Sequence, residues 1–322
     1  NRSSKLISRT GGLSIFFGAT ISLLINPNFY LNKNQYFSTP NIPLVILISS
    51  LIIFIVGFID DLKGLSPLRR LIIQILIAYF VFSRGIRFEV ETIEFILNLQ
   101  LGYQIINFIN LGITILWIVG LINAINWIDG LDGLASGFTI IALICLIKIG
   151  NLNGLDAGIF LIPIIGSCIG FIYFNFYPAK IYMGDAGSYF LGFNLSVWSI
   201  ILTNSSLLTE PNPNQVSGII VCFIIMFMPI FDMTSLIVKR TLSGASPFYP
   251  DNKHFHHKLI ECGFSHRSAV IFYFFIFQWF SNLAYATSLR IIVTKYFIIS
   301  SLALIIFSFL NFNKLKKLFK LF

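Results

Sequence analysis

The 322-residue chain is 56% hydrophobic and only 11% charged, with a mean hydropathy of +0.85. That composition excludes an ordinary soluble domain, in which about a quarter of residues carry charge. The formal net charge of +9 would suit a nucleic-acid partner, but the cations do not cluster on one stripe; they divide between the two sides of a membrane, as shown below.

A hydrocarbon core about 30 Å thick needs roughly 20 apolar residues per helical crossing. Ten stretches meet that description, at 12–26, 42–59, 68–84, 105–124, 133–149, 156–174, 187–203, 217–237, 268–288 and 291–311. They are continuous Ile/Leu/Phe blocks and not alternating ones, which argues against a β-barrel. The expected fold is therefore an all-α, polytopic membrane bundle forming one domain over 1–322. The first residues read as a loop entering a helix, so a preceding segment is expected. With residues 1–11 placed inside, the inside segments hold 16 of the 22 Lys and Arg and the outside segments 6, which fits the positive-inside rule. The basic tail of Lys314, Lys316, Lys317 and Lys320 reads as a contact with anionic headgroups.

In chain order, the first stretch opens on Gly11 and Gly12, a pair that lets backbone approach a ligand or a neighbouring helix. The second ends in Asp60 and Asp61. Two adjacent carboxylates at a helix C-terminus repel one another and face the negative end of the helix dipole, which a cation or a raised pKa would relieve. Residues 86–104 alternate in a way that predicts a short outer β-hairpin. After the fourth stretch come Asn123, Asn126, Asp129 and Asp132, with glycines at 130, 133 and 137. Aspartates three apart share a face of near-helical backbone, and charges so near hydrocarbon cost roughly 2–3 kcal/mol each. A calcium loop would need further oxygen ligands that are absent.

The break before the seventh stretch holds Lys180 and Asp185, the latter between Gly184 and Gly187. Asp185 reads either as a metal ligand beside an anion-binding turn or as a helix N-cap. Asp232 reads equally well as a site residue and as a structural partner of Lys239 or Arg240. The longest inside loop carries Asp251, His254, His256 and His257. Its spacing lacks the helical His pair of a zinc site, so contact with a phosphate or diphosphate is preferred. His266 reads as incidental. The four cysteines show no paired spacing, and no disulfide is expected.

Together these are carboxylates, a few cations, a histidine cluster and glycine turns on one edge of a bundle. Hard carboxylate oxygens suit Mg²⁺, with Mn²⁺ a second choice, bridging to substrate phosphates. Phosphoryl transfer needs little beyond positioning and charge neutralisation. The chain has no Walker A or dinucleotide fingerprint. A transporter of phosphorylated metabolites or ions is the competing class, but its charges would gather near the midplane on paired broken helices. A scaffold gives no reason for clustered aspartates.

Five motifs, in order along essentially the whole chain, resemble the polyprenyl-phosphate N-acetylhexosamine-1-phosphate transferases (the WecA/MraY/TagO superfamily). They are 9–12, 57–61, 123–133, 181–188 and 246–257, and the histidine motif is closer to the WecA-like branch. The resemblance implies Mg²⁺-dependent transfer of a sugar 1-phosphate from a UDP-sugar to undecaprenyl phosphate, with release of UMP, at the cytoplasmic face of a bacterial inner membrane. It implies metal binding by Asp185 and catalytic roles for Asp60, Asp61, Asp129 and Asp132; Asp60 or Asp61, with Asp61 preferred, is the expected second support for the metal. It implies substrate contacts by Asn126, His254, His256 and His257; Lys180, Gly11 and Gly12 are candidate substrate contacts from their own chemistry, a cation and a close-approach glycine pair. Expected partners are undecaprenyl phosphate, a UDP-N-acetyl sugar and membrane lipids, with a homodimer left open and no nucleic acid. Asn252 and Lys253 stand where the family pattern has Arg-Gly, which leaves the sugar undetermined, and family members carry one further helix at the start.

Overall fold

The computed structural model describes residues 7–27, 41–89, 102–203, 218–244, 255–289 and 295–311, together with 314, 315 and 317. Among them are twelve helices and no strand. In chain order they are α1 (Gly11–Ile25), α2 (Ile42–Lys63), α3 (Pro67–Ser83), α4 (Tyr103–Ile128), α5 (Leu134–Leu152), α6 (Gly158–Asn175), α7 (Gly184–Thr203), α8 (Gly218–Ile225), α9 (Phe227–Leu242), α10 (Phe255–Glu261), α11 (His266–Ser288) and α12 (Lys295–Leu310).

Six of these are long and apolar enough to cross a membrane: α2, α4, α5, α6, α7 and α11. Their outward faces carry Leu44, Ile48, Leu51, Leu116 and Ile162, all well exposed. Surface that apolar is stable only against lipid, and the protein is a multi-pass membrane protein. α1 is shorter and apolar.

The stretch expected as one crossing at 217–237 is instead broken into α8 and α9, bent by 77°. Pro229 accounts for the break. It has no N–H to give the carbonyl of Ile225, and its ring would collide there. The expected hairpin at 86–104 lies largely outside the described residues. The described start, Ile86 to Glu89, is irregular; Ile86 and Phe88 are buried, and the Phe88 amide donates to Thr114 Oγ1 at 3.1 Å.

α7 is the axis of the bundle. Every residue from Ala186 to Thr203 is buried, and α1, α2, α4, α5 and α8 pack around it. A helix surrounded by protein on all sides can carry polar groups that lipid would not tolerate, provided neighbours satisfy them. Trp117 Nε1 donates to Ser199 Oγ at 3.0 Å, and Asn194 Nδ2 to Ser50 Oγ at 3.1 Å. Close approach at its first turn is a matter of missing side chains: Gly12 lies against Gly187, and Gly57 against the Asp185 carbonyl and Ala186.

The chain order brings the polar breaks to one end of this bundle. The C-terminus of α2, the turn between α4 and α5, and the segment running from α6 into α7 are the three that hold the acidic motifs.

Candidate active site

At that end lies a cavity of about 510 Å³. Its wall includes Arg9, Asp61, Asn126, Asp129, Asp132, Asn175, Asp185 and His266. Four carboxylates from three separate chain segments therefore face one space.

The floor is the N-terminus of α7. The first amides of a helix have no partner within it, and the helix dipole favours negative charge there. Asp61, on the last turn of α2, supplies the acceptors: its Oδ1 takes the Asp185 amide and its Oδ2 the Ala186 amide, both at 2.9 Å. Gly184, at φ +73°, makes the turn into the helix; a Cβ there would come within 2.6 Å of Asp61 Oδ2. Asp185 is not the cap of its own helix. Its Oδ1 accepts Asn126 Nδ2 at 2.6 Å, and no described hydrogen bond ends on its Oδ2. Asn126 also reaches Ser188 Oγ at 3.0 Å, tying α4 to α7 beside the carboxylate.

The wall is the turn at 129–133. Asp132 Oδ2 accepts the Ala179 amide at 3.0 Å, and Asn175 Oδ1 accepts the Gly133 amide at 2.8 Å. No described hydrogen bond ends on the Asp129 carboxylate. Burial pushes its pKa well above the ordinary carboxylate value, and the charges of Asp185, Asp132 and Asp61 push it further.

The structure separates the Asp60–Asp61 pair. Neighbouring residues on a helix point about 100° apart, and Asp60 turns into the protein. Its Oδ2 meets Arg70 Nη1 and the Tyr189 hydroxyl, both at 2.9 Å, and its Oδ1 takes the Leu65 amide at 2.6 Å. It does not line the cavity. Gly11 and Gly12 give their amides to the carbonyls of Tyr182 and Met183, at 3.0 and 2.8 Å, which places the pair in helix packing. Lys180 is exposed and off the cavity wall. His254, Asp251, Asn252 and Lys253 lie outside the described residues, as does the His256 side chain. His257 is half-buried on α10. Asp232, buried on α9, accepts the Phe255 amide at 2.8 Å and so anchors the start of that helix.

The cavity residues Arg9, Asn175 and His266 were not among the sequence candidates. Arg9 belongs to a motif that was noticed for its glycines. His266 was set aside as incidental, yet it lines the cavity, and its Nε2 accepts the Asp132 amide at 3.3 Å. Those two residues are 134 positions apart, and no local spacing connects them. The competing transporter arrangement, with charge at mid-bundle on paired broken helices, is not what the described residues form: there is one bent pair, and the cavity lies at helix ends.

Residues 43–203, from α2 to α7, match the family described as Glycosyl transferase family 4. The chain is similar to the probable undecaprenyl-phosphate N-acetylglucosaminyl 1-phosphate transferase of Bacillus subtilis (strain 168), at 34% identity over 84% of this chain and 71% of that protein. It is 30% identical to the decaprenyl-phosphate N-acetylglucosaminephosphotransferase of Mycobacterium leprae (strain TN), over 87% of this chain and 72% of that one. The undecaprenyl-phosphate alpha-N-acetylglucosaminyl 1-phosphate transferase of Yersinia pestis is 28% identical over 84% and 70%. The matched segment carries all four aspartates of the cavity, and the likeness to whole relatives runs well beyond it: the chain belongs to glycosyl transferase family 4.

Proposed function

We propose that this protein transfers an N-acetylhexosamine 1-phosphate, N-acetylglucosamine 1-phosphate first among the candidates, from a UDP-sugar to undecaprenyl phosphate, releasing UMP. The observation that carries the reading is the cavity at one end of a lipid-embedded bundle, faced by Asp61, Asp129, Asp132 and Asp185 with Arg9 beside them. A soluble nucleotide and the phosphate of a membrane lipid can meet only at such a boundary. The relatives are named for N-acetylglucosamine and a polyprenyl phosphate, which supports this choice of sugar and acceptor. The 16-to-6 division of cations over the ten expected crossings supports a cytoplasmic placing of this end, at a bacterial inner membrane.

The donor set suits Mg²⁺. Among the described residues no three His, Cys, Asp or Glu side chains converge as a ready-made metal cage. Mg²⁺ does not need one, since it is commonly held by one or two carboxylates plus substrate phosphates and water. Asp185, with an oxygen that no described hydrogen bond engages, would hold it, with Asp61 alongside. When bound, it neutralises charge on the diphosphate oxygens.

In the reaction, an oxygen of the lipid phosphate forms a bond to the β-phosphorus of the UDP-sugar. The bond from that phosphorus to the bridging oxygen breaks, and UMP leaves with the electron pair. Arg9 faces the developing negative charge. A phosphate monoester has a second pKa near 6, so the base that takes its last proton works best when its own value is raised toward neutrality. Asp129 lines the cavity with a carboxylate that no described hydrogen bond engages, and its pKa is shifted upward, so it suits the role; Asp60 is tied to Arg70 and Tyr189 and serves by holding α2 against α7.

The test is to incubate purified protein with undecaprenyl phosphate, Mg²⁺ and a panel of UDP-N-acetyl sugars. Lipid diphosphate-sugar and UMP should form in equal amounts, best with one donor. A transporter would leave every substrate intact, and that outcome would end the proposal.

A further inference from the structure

Turns that contain two glycines are loose unless something outside them holds them. The turn at 129–133 has Gly130 and Gly133, yet it must present two carboxylates to the cavity. Three ties from elsewhere in the chain fix it. Asn175 and Ala179, on the segment leading to α7, hold the Gly133 amide and the Asp132 carboxylate. The third comes from the far end of the chain, where His266 Nε2 accepts the Asp132 amide.

His266 is itself held in place. Ser265 caps α11 by accepting the Ser268 amide at 3.2 Å, which sets the position of the first helical residue. The imidazole stacks on Tyr177, with ring centres 4.6 Å apart and planes 18° from parallel. Arg267 Nε donates to the Tyr177 carbonyl at 3.0 Å. The start of α11 and the 175–179 segment therefore grip Asp132 from two sides, and they hold one another.

We infer that His266 is a positioning residue of the active site: by accepting the Asp132 amide while stacked on Tyr177, it locks the turn that carries Asp129 and Asp132. An accepting Nε2 requires the neutral ring to carry its proton on Nδ1. The residue lies beyond the family-matched segment, so this chain completes its site with an element from outside it. The inference rests on the proposed reaction for its kinetic readout, but the clasp itself can be tested without turnover.

Two substitutions separate the acceptor from the stack. His266→Phe keeps a ring over Tyr177 and deletes the acceptor; His266→Gln deletes the ring and keeps an acceptor of similar reach. Loss of one tie is worth about five- to tenfold. His266→Phe should lower kcat by that factor with KM for the donor within about twofold, and His266→Gln should restore most of kcat. Hydrogen–deuterium exchange of a peptide covering 129–133 should quicken in the Phe variant and stay near wild type in the Gln variant. An unchanged kcat in the Phe variant, an equal fall in both variants, or a change confined to KM would overturn the inference, the last because it marks direct substrate contact. If the Phe variant does not purify, the Gln variant decides alone: a kcat loss above about tenfold, or faster exchange at 129–133, refutes it. Failure of the wild-type protein to turn over any donor would instead refute the proposed reaction, and the exchange measurement would still judge the clasp.

Discussion

A single methyl group at Gly57 should disable the site without altering any side chain that lines it. Gly57 sits one turn before Asp61 on α2, so the two lie on the same face, against the start of α7. A Cβ at Gly57 would fall 2.5 Å from the Asp185 carbonyl oxygen and 2.7 Å from Ala186 Cα. Both are backbone atoms and cannot rotate away. Restoring an ordinary contact of 3.4 Å means separating α2 from α7 by about 0.9 Å. The caps from Asp61 to the Asp185 and Ala186 amides start at 2.9 Å. They would lengthen to about 3.8 Å, beyond hydrogen-bonding range. Overpacking of this kind costs about 1–3 kcal/mol of stability. A misplacement near 1 Å at a reacting centre costs about 10²-fold in rate. Gly57→Ala, purified and assayed for UMP release, should therefore retain the fold with a somewhat lowered melting temperature and lose about 10²-fold in kcat. Gly170→Ala on α6, where an added Cβ meets nothing within 4 Å, should behave as wild type. A Gly57→Ala enzyme with kcat within twofold of wild type would refute the reasoning.

Removing Arg70 leaves Asp60 buried without its cation; as Arg70 is itself partly exposed, Arg70→Ala should cost about 3 kcal/mol, the low end for a broken buried pair, read as a fall in melting temperature, and Asp60→Asn should cost less because it leaves no buried charge at 60 and its one amide oxygen can still accept the Leu65 amide. The raised pKa of Asp129 means that its ionisation opposes folding: its contribution is fully present below the ordinary carboxylate range and is lost as pH rises through the raised value. At neutral pH in metal-free buffer, Asp129→Asn should therefore melt higher than wild type while losing activity, and a variant that melts lower would contradict this. Added Mg²⁺ should stabilise wild type more than the variant. Cysteines placed at Lys63 and Lys180 should react with an impermeant maleimide only from the cytoplasmic side, and those at Arg84 and Gly154 only from the other; the four native cysteines, all buried, should stay silent. Labelling of all four new positions from one side would remove the proposed orientation.

Local motifs were the legible part of the site. Asn126, Asp129, Asp132 and Asp185 stand in glycine-marked breaks where charge near hydrocarbon has a cost, and the structure gathers them around one cavity. The helical class followed from unbroken apolar runs, and each of the ten stretches has a helical counterpart. Long-range partnerships were not legible. Nothing in the order of residues tells that Asp61, and not Asp60, would cap a helix 124 positions later, because the choice depends on how α2 is rotated in the bundle. Pro229 did carry a local signal for a break, but the apolar run continues through it and hydropathy hid the bend. His266 gave no signal, since its partner Asp132 becomes a neighbour only when α11 packs beside α5.

The central claim is that this carboxylate-faced cavity moves a sugar together with its phosphate onto a lipid. UDP-N-acetylglucosamine labelled with ³²P in the β-phosphate, incubated with the purified protein and undecaprenyl phosphate, separates that transfer from every alternative. Label should pass into the organic phase with wild-type protein and remain aqueous with Asp185→Asn. Label that stays aqueous with wild type for every UDP-N-acetyl sugar tried, or that enters the lipid equally fast with Asp185→Asn, would contradict the account.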